Sequence, residues 1–172
     1  MPRVKLHSAR GRQSGFTLVE LITVILVLGV LAGVAIPRYA DLQGKARESK
    51  VRAVAGSIKA AASLARAQAL SSGVNCASAT GTTVSLEGRS IALNHCQPQS
   101  LTGLTAGILG AANVESDSGW TITMATGTAG DAGAELQLAL SDAATPASCR
   151  LNYTSPATAG TDSVVATTTT GC

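Results

Sequence analysis

Aromatic side chains are scarce in this sequence, which contains only Phe16, Tyr39, Trp120 and Tyr153. Proteins that hold single-stranded nucleic acid usually stack its bases on aromatic rings set among basic residues. Acidic residues interrupt the basic residues of this chain, and few rings accompany them. The sequence therefore does not support nucleic-acid binding.

Histidine is also scarce, since the chain has only His7 and His95, and its four cysteines show no Cys-x-x-Cys spacing. Zinc sites and nucleophilic active sites are built from such residues, and no glycine-rich stretch has the form of a phosphate-binding loop. His95 stands beside Cys96, but a loop or sheet-edge position is favoured over a metal site. The sequence thus predicts no catalytic residues, no metal and no cofactor, which argues against an enzyme.

All four cysteines lie in the C-terminal part of the chain, and their even number indicates disulfides formed in an oxidising compartment. Several connectivities are possible. We favour Cys76 with Cys96 and Cys149 with Cys172, because each pair closes a modest loop and the second would hold the end of the chain. The alternative is a set of buried, unpaired thiols.

Charge is distributed unevenly along the chain. Residues 38 to 66 carry seven basic and two acidic side chains, whereas residues 67 to 172 carry two basic and seven acidic ones. Four further basic residues, Arg3, Lys5, Arg10 and Arg12, lie in the first 15 positions. The two later stretches are electrostatically complementary, which favours packing against each other or against copies of the same chain.

Residues 16 to 37 form an apolar segment with a single charge, Glu20. As a helix this segment would be about 33 Å long, enough to span a bilayer. The basic residues before it predict a cytoplasmic N-terminus and an exported C-terminal part. A carboxylate in hydrocarbon costs about 2.5 to 3.5 kcal/mol and usually marks a functional position. The alternatives are a secretory signal peptide cleaved after Ala35, and a Glu20 side chain that merely reaches interfacial water.

Gly15, the following Phe-Thr-Leu-Val-Glu-Leu at residues 16 to 21 and the apolar run together resemble the N-terminus of type IV pilins and the related pseudopilins. Residues 36 to 43, with Ala46 and Arg47, are more particularly similar to mannose-sensitive haemagglutinin type pilins. The resemblance implies that a membrane prepilin peptidase cuts between Gly15 and Phe16 and that the new amine of Phe16 is methylated. It also implies that Glu20 of an incoming subunit attracts the Phe16 amine of a subunit already in the filament.

The resemblance further implies a structural subunit, the major pilin, with roles in adhesion, motility or surface attachment. Its partners would be copies of itself, the inner membrane, the peptidase, and an assembly platform with ATPases. The precursor would sit in the bacterial inner membrane facing the periplasm, and the mature subunit in an extracellular pilus. A minor pilin or a type II secretion pseudopilin is the alternative within the family, and a secreted binding domain behind a signal peptide is the alternative outside it.

Gly29 and Gly33 form a Gly-x-x-x-Gly pair, which lets helices approach closely in an apolar environment. Pro37 lacks the N–H that would bond the carbonyl of Gly33 and its ring clashes there. We expect a bend or a locally unwound stretch between Gly29 and Pro37, with simple close packing as the alternative.

Beyond the apolar segment, a basic residue recurs every seven positions. Asp41 and Glu48 each stand four residues before one of these bases, a favourable spacing on a helix. Lys59 and Arg66 have no such local partner and are predicted to meet acids of the C-terminal domain, in the same chain or a neighbouring one. The basic set is Arg38, Lys45, Arg52, Lys59 and Arg66, and a separate apolar stripe is formed by Val51, Val54, Ile58, Ala61 and Ala65.

Residues 74 to 172 show short alternating runs separated by turn residues, the pattern of an antiparallel sheet. A hairpin over residues 84 to 93 with a turn at Glu87 and Gly88 is expected, as are strands over residues 120 to 124, 135 to 138 and 149 to 153 and a short helix near residues 101 to 112. The predicted fold is α+β, a long N-terminal helix packed on a small antiparallel sheet with disulfide-closed loops. The predicted segments are a cleaved leader (1 to 15), a membrane or filament-core half-helix (16 to 37), an amphipathic half-helix (38 to 70) and a globular domain (71 to 172).

Overall fold

The computed structural model describes residues 15 to 114 and 119 to 172. The predicted leader, apart from Gly15, lies outside the described residues, and so does His7. The chain divides into two compact units, the first ending at Asp41 and the second comprising Leu42–Cys172.

Helix α1 comprises Leu18–Ser71 and is the dominant element. It ends in a Schellman motif, in which the N–H of Val74 donates to the carbonyl of Ala69 (3.0 Å) and the N–H of Gly73 to that of Leu70 (3.3 Å). Gly73 takes the left-handed φ of +69° that this motif requires and that glycine adopts without strain. The helix was predicted to end at residue 70, one residue before its observed end.

Pro37 lies inside α1, and residues 29 to 37 are helical throughout. We expected either a bend or a locally unwound stretch between Gly29 and Pro37. The prediction of an unwound stretch is therefore wrong. A proline removes a single main-chain donor, and the helical turns on either side of Pro37 continue past that loss.

The first sheet is a three-stranded antiparallel sheet of β1 (Thr82–Leu86), β2 (Arg89–Asn94) and β3 (Gln97–Pro98), in that order. Its β1–β2 hairpin turns at Glu87 and Gly88, whose φ angles of +50° and +79° are those of a two-residue primed turn. The predicted hairpin is confirmed. Strand β3 was not predicted.

The second sheet contains β4 (Trp120–Thr126), β5 (Glu135–Leu140), β6 (Arg150–Thr154) and β7 (Val164–Thr168), all antiparallel and in chain order. The three strands predicted in this region are confirmed as β4, β5 and β6, whereas β7 was not predicted. The expectation of a short helix is met by α2 (Gly107–Ala111). The described residues thus form two antiparallel sheets where we expected one.

The core of the second unit lies between α1 and the sheets. Four members of the predicted apolar stripe, Val51, Ile58, Ala61 and Ala65, are buried, and Val54 packs at the margin. Large side chains of both sheets and of α2 pack against them. The disulfides join Cys76 to Cys96 and Cys149 to Cys172, which confirms the favoured pairing. These large side chains are Ile91, Leu93, Ile108, Leu109, Leu136, Leu138, Leu140, Leu151 and Tyr153.

The two sheets are also joined by hydrogen bonds between buried polar groups. The hydroxyl of Tyr153 on β6 donates to the carbonyl of Pro98 on β3 at 2.6 Å. Ser100 Oγ donates to the carbonyl of Ala134 at 2.7 Å, and it also accepts the N–H of Ser155 at 3.2 Å. Because buried polar groups are costly when unpaired, these bonds fix one arrangement of the sheets.

Candidate functional site

The candidate site lies where α1 begins. Thr17 is the residue before the helix, and its hydroxyl accepts the N–H of Glu20 at 3.2 Å. The Glu20 carboxylate reaches back, and its Oε2 atom accepts the N–H of Thr17 at 2.9 Å and the Thr17 hydroxyl at 2.8 Å. This reciprocal pattern is a capping box, which satisfies main-chain donors that a helix start would leave unpaired.

The capping box explains part of why an acid stands in an apolar segment. In hydrocarbon no water is present to bond a free N–H, so each unpaired donor there costs several kcal/mol. Glu20 supplies an acceptor for one such donor, and Thr17 supplies another. We did not identify Thr17 from the sequence, although the Thr-x-x-Glu spacing that predicts a capping box was present.

The first part of α1 presents its apolar side chains on every side. Phe16 is 86% exposed, and the large residues that follow it are about half to three-quarters exposed. The helix is long and apolar enough to cross a membrane by length and composition. A helix that is apolar all round must be covered by lipid or by other protein. The exposed set includes Leu18, Val19, Leu21, Ile22, Val24, Ile25, Leu26, Val27, Leu28, Val30, Leu31, Val34 and Ile36.

Gly29 and Gly33 lie on this exposed part of α1. No atom lies within 4 Å of the position that a Cβ atom would take at either residue. The two glycines therefore form an open surface on the helix, and their predicted role in helix packing stays a prediction.

Lys59 and Arg66 were predicted to meet acids of the C-terminal domain. Arg66 forms an ion pair with Asp162 of the same chain. Arg47 contacts Asp142 as well, with 3.5 Å between Nε and Oδ2. Lys59 makes no ion pair with the described residues. It lines a cleft of about 380 Å³ beside Arg66 and Asp162.

Among the described residues no group of three or more His, Cys, Asp or Glu side chains is placed to hold a metal ion. His95 lies in a tight turn with φ of +48°, and its Nδ1 is 3.1 Å from the carbonyl oxygen of Cys76. Cys96 beside it is held in the disulfide with Cys76, so it offers no thiolate as a ligand.

Residues 10–36 match the family described as the prokaryotic N-terminal methylation motif. The match encloses Gly15 and Phe16, the predicted cleavage and methylation positions, and Glu20 of the capping box. The chain thus carries a prokaryotic N-terminal methylation motif, followed by a disulfide-bonded α+β domain.

The curated proteins that the chain is similar to include pilus and fimbrial proteins. The chain is 41% identical over 58 residues to the type IV narrow pilus major component PilA5 of Thermus thermophilus, covering 34% of this chain and 50% of that protein. It is 46% identical over 50 residues to the fimbrial protein EcpB of Eikenella corrodens, covering 29% and 31% of the two chains. It is 39% identical over 49 residues to the type IV major fimbrial protein FimA of Dichelobacter nodosus, covering 28% and 31%.

The chain therefore spans between about a third and a half of the length of these relatives. No solved structure gives a significant match.

Proposed function

We propose that this chain is the precursor of a structural subunit, the major pilin, of a type IV pilus. The observation that carries the proposal is the methylation motif of residues 10–36, which includes the start of an apolar helix that is exposed on all sides. A prepilin peptidase cuts between Gly15 and Phe16, and the amine of Phe16 is methylated. The roles that follow are adhesion, motility or surface attachment.

The physical argument rests on the cover that the apolar helix needs. Before assembly the inner membrane covers it, with the second unit on the periplasmic side. In the filament the same helices of other copies cover it, and the open surface at Gly29 and Gly33 allows close approach between them. An assembly platform and its ATPases supply the work of extraction from the membrane.

The charge of Glu20 helps to set the register between copies in this assembly. Cleavage creates a cationic amine at Phe16, and a carboxylate and an amine are each poorly solvated among apolar helices. Pairing Glu20 of one copy with the Phe16 amine of another offsets the desolvation cost of both charges, whereas a wrong register leaves both costs in place. The charge therefore selects an arrangement more than it adds affinity.

Within this class, the sequence of residues 36 to 43 supports the mannose-sensitive haemagglutinin type. The subunit has a structural role and is not a catalyst.

The first experiment is mass spectrometry of the mature N-terminus together with analysis of sheared surface fibres. A methylated Phe16 and recovery of the protein in the fibres are expected. A mature N-terminus at Ile36 would refute the proposal in favour of a secreted domain, and a methylated protein absent from the fibres would favour a pseudopilin or minor pilin.

A pair of variants separates the two tasks of Glu20. Glu20→Gln keeps an oxygen that accepts the Thr17 bonds but removes the charge, since glutamine also serves in capping boxes. Glu20→Ala removes both. We expect both variants to be inserted and cleaved, and both to give few fibres. Normal fibre yield from Glu20→Gln would show that the charge is not needed for assembly.

A further inference from the structure

The cleft beside Lys59 carries an unbalanced positive charge. Two bases, Lys59 and Arg66, line it together with a single acid, Asp162. Asp162 already has partners, because its Oδ1 atom accepts hydrogen bonds from the guanidinium of Arg66 and the side-chain amide of Gln97. One positive charge, that of exposed Lys59, is therefore left without a partner among the described residues.

The wall of the cleft at Gln97 is already hydrogen-bonded. Gln97 is only 3% exposed, and its Oε1 accepts the N–H of Ser163 at 2.9 Å while its Nε2 donates to the carbonyl of Thr161 at 3.2 Å. The Gln97 amide thus fixes the loop that carries Asp162. A fixed basic cleft of this size suits a carboxylate on a side chain that enters from outside.

A matching acid lies on the other flank of α1. Glu87 is exposed at the tip of the β1–β2 hairpin and makes no ion pair with the described residues. It borders a small groove with Ala61 and Leu64. At about 100° per residue, Ala61 and Leu64 point roughly 200° and 140° away from Lys59 around the helix. The free base and the free acid therefore face nearly opposite directions.

Between the two flanks runs an exposed ridge of α1. Leu64 is 64% exposed there, so its apolar side chain is available to pack against another surface. The neighbouring ridge residues are small, so another surface can approach the helix closely. They are Ala53, Gly56, Ala60 and Ala67.

We propose that the Lys59 cleft of one copy accepts the Glu87 carboxylate of the next copy, with the exposed ridge of α1 packed at the contact. This inference rests on the proposed function, because it needs copies held side by side in a filament. The basic cleft and the acidic side chain lie on opposite flanks of one helix, so the contact between two copies is head-to-tail. Such contacts propagate into helical assemblies instead of closing into dimers. Charge complementarity sets the partner and the register.

Zero-length coupling of amines to carboxylates with a carbodiimide on sheared filaments tests the contact directly. We expect dimers and higher species on a denaturing gel, with an amide between Lys59 and Glu87 identified by peptide mass spectrometry. The matched control is Lys59→Arg, which keeps the charge but cannot form this amide. Its filaments should form normally and lack the cross-link. A Lys59 amide only to Asp162 of the same chain, or none at all, would overturn the inference.

Charge exchange gives a second test. Lys59→Glu and Glu87→Lys should each lower the yield of sheared filaments about tenfold or more, and the double variant should recover most of the yield. Membrane level and Phe16 methylation should stay normal in all three. A double variant no better than the worse single variant would contradict the contact. If the unaltered chain forms no filaments, the proposed function fails, whereas filaments lacking the cross-link refute this inference alone.

Discussion

Tyr153 offers the sharpest test of how the second unit is held together. Its side chain is fully buried on β6, and its hydroxyl donates to the carbonyl of Pro98 on β3 at 2.6 Å. The bond joins the two sheets directly. Tyr153→Phe keeps the ring and its packing and removes only the oxygen, so the effect reports the value of this one connection.

The expected loss is about 1 to 3 kcal/mol in the free energy of unfolding, because the carbonyl of Pro98 loses a buried donor that water cannot replace. For a unit of this size that corresponds to a fall of about 3 to 10 °C in Tm. The assay is thermal and urea unfolding of the detergent-solubilised chain, followed by circular dichroism with the disulfides intact. The matched control is Tyr39→Phe, because Tyr39 is 65% exposed and its change should cost less than about 0.5 kcal/mol.

Alkaline pH separates the hydroxyl from packing effects. Burial raises the pKa of Tyr153 well above its ordinary value, and a hydrogen bond with Ser163 opposes the shift only in part. In the unfolded chain the pKa of the same group is about 10. Since only the unfolded state then releases the proton, stability falls as pH rises above that point, by about 1.4 kcal/mol per pH unit from this group.

Tyr153→Phe lacks this contribution, so the difference in stability between the two proteins should shrink between about pH 10 and pH 11. A Tyr153→Phe protein as stable as the parent at neutral pH, with the same alkaline slope, would refute the proposed connection between the sheets.

Three further changes test the core, the ion pair and the disulfide at the end of the described chain. Ile58→Ala should cost about 2 to 5 kcal/mol because Ile58 is fully buried, whereas Leu64→Ala on the exposed ridge should change monomer stability little; equal losses would contradict the assigned faces of α1. Arg66→Gln should cost no more than about 1 kcal/mol in urea unfolding, because both partners of its ion pair are partly exposed. Replacing Cys149 and Cys172 together by serine should cost about 3 kcal/mol, given a loop of 23 residues, and an unchanged urea midpoint would show that this disulfide is dispensable.

Local signals in the sequence predicted the elements whose stability is local. The hairpin of β1 and β2 was predicted because Glu87 and Gly88 suit the φ angles of a tight turn. The end of α1 was predicted at residue 70, within one residue of its observed end. The buried face of α1 followed from the spacing of Val51, Ile58 and Ala65, which the structure places in the core.

Elements that depend on distant contacts were missed. Strand β3 is only two residues long and exists because Gln97 and Pro98 pair with Asn94 and Leu93. Strand β7 buries almost nothing and forms by pairing with β6. The arrangement of the two sheets depends on buried hydrogen bonds between residues far apart in the chain, such as Tyr153 with Pro98, and no local pattern encodes such bonds.

The candidate site shows a different kind of omission. The cost of a carboxylate in hydrocarbon predicts a role for the charge of Glu20, but it does not predict the hydrogen bonds of Glu20 to Thr17. The two uses of this side chain are compatible. Both Thr17 donors bond the same oxygen, Oε2, and no bond to Oε1 is recorded among the described residues. Within the proposed filament, Oε1 would remain open to the Phe16 amine of another copy while Oε2 holds its own helix start.

Thr17 would then act as a positioning residue for Glu20. Thr17→Val removes the hydroxyl and keeps the charge and the branched shape, whereas Thr17→Ser keeps the hydroxyl. If Thr17 orients the carboxylate, Thr17→Val should lower fibre yield with normal insertion and Phe16 methylation, and Thr17→Ser should leave the yield near that of the parent. Equal yields from the two variants would mean that the amine of a neighbouring copy alone orients Glu20. The capping box would then belong to the free subunit, and its hydrogen bonds would have to break when the filament forms.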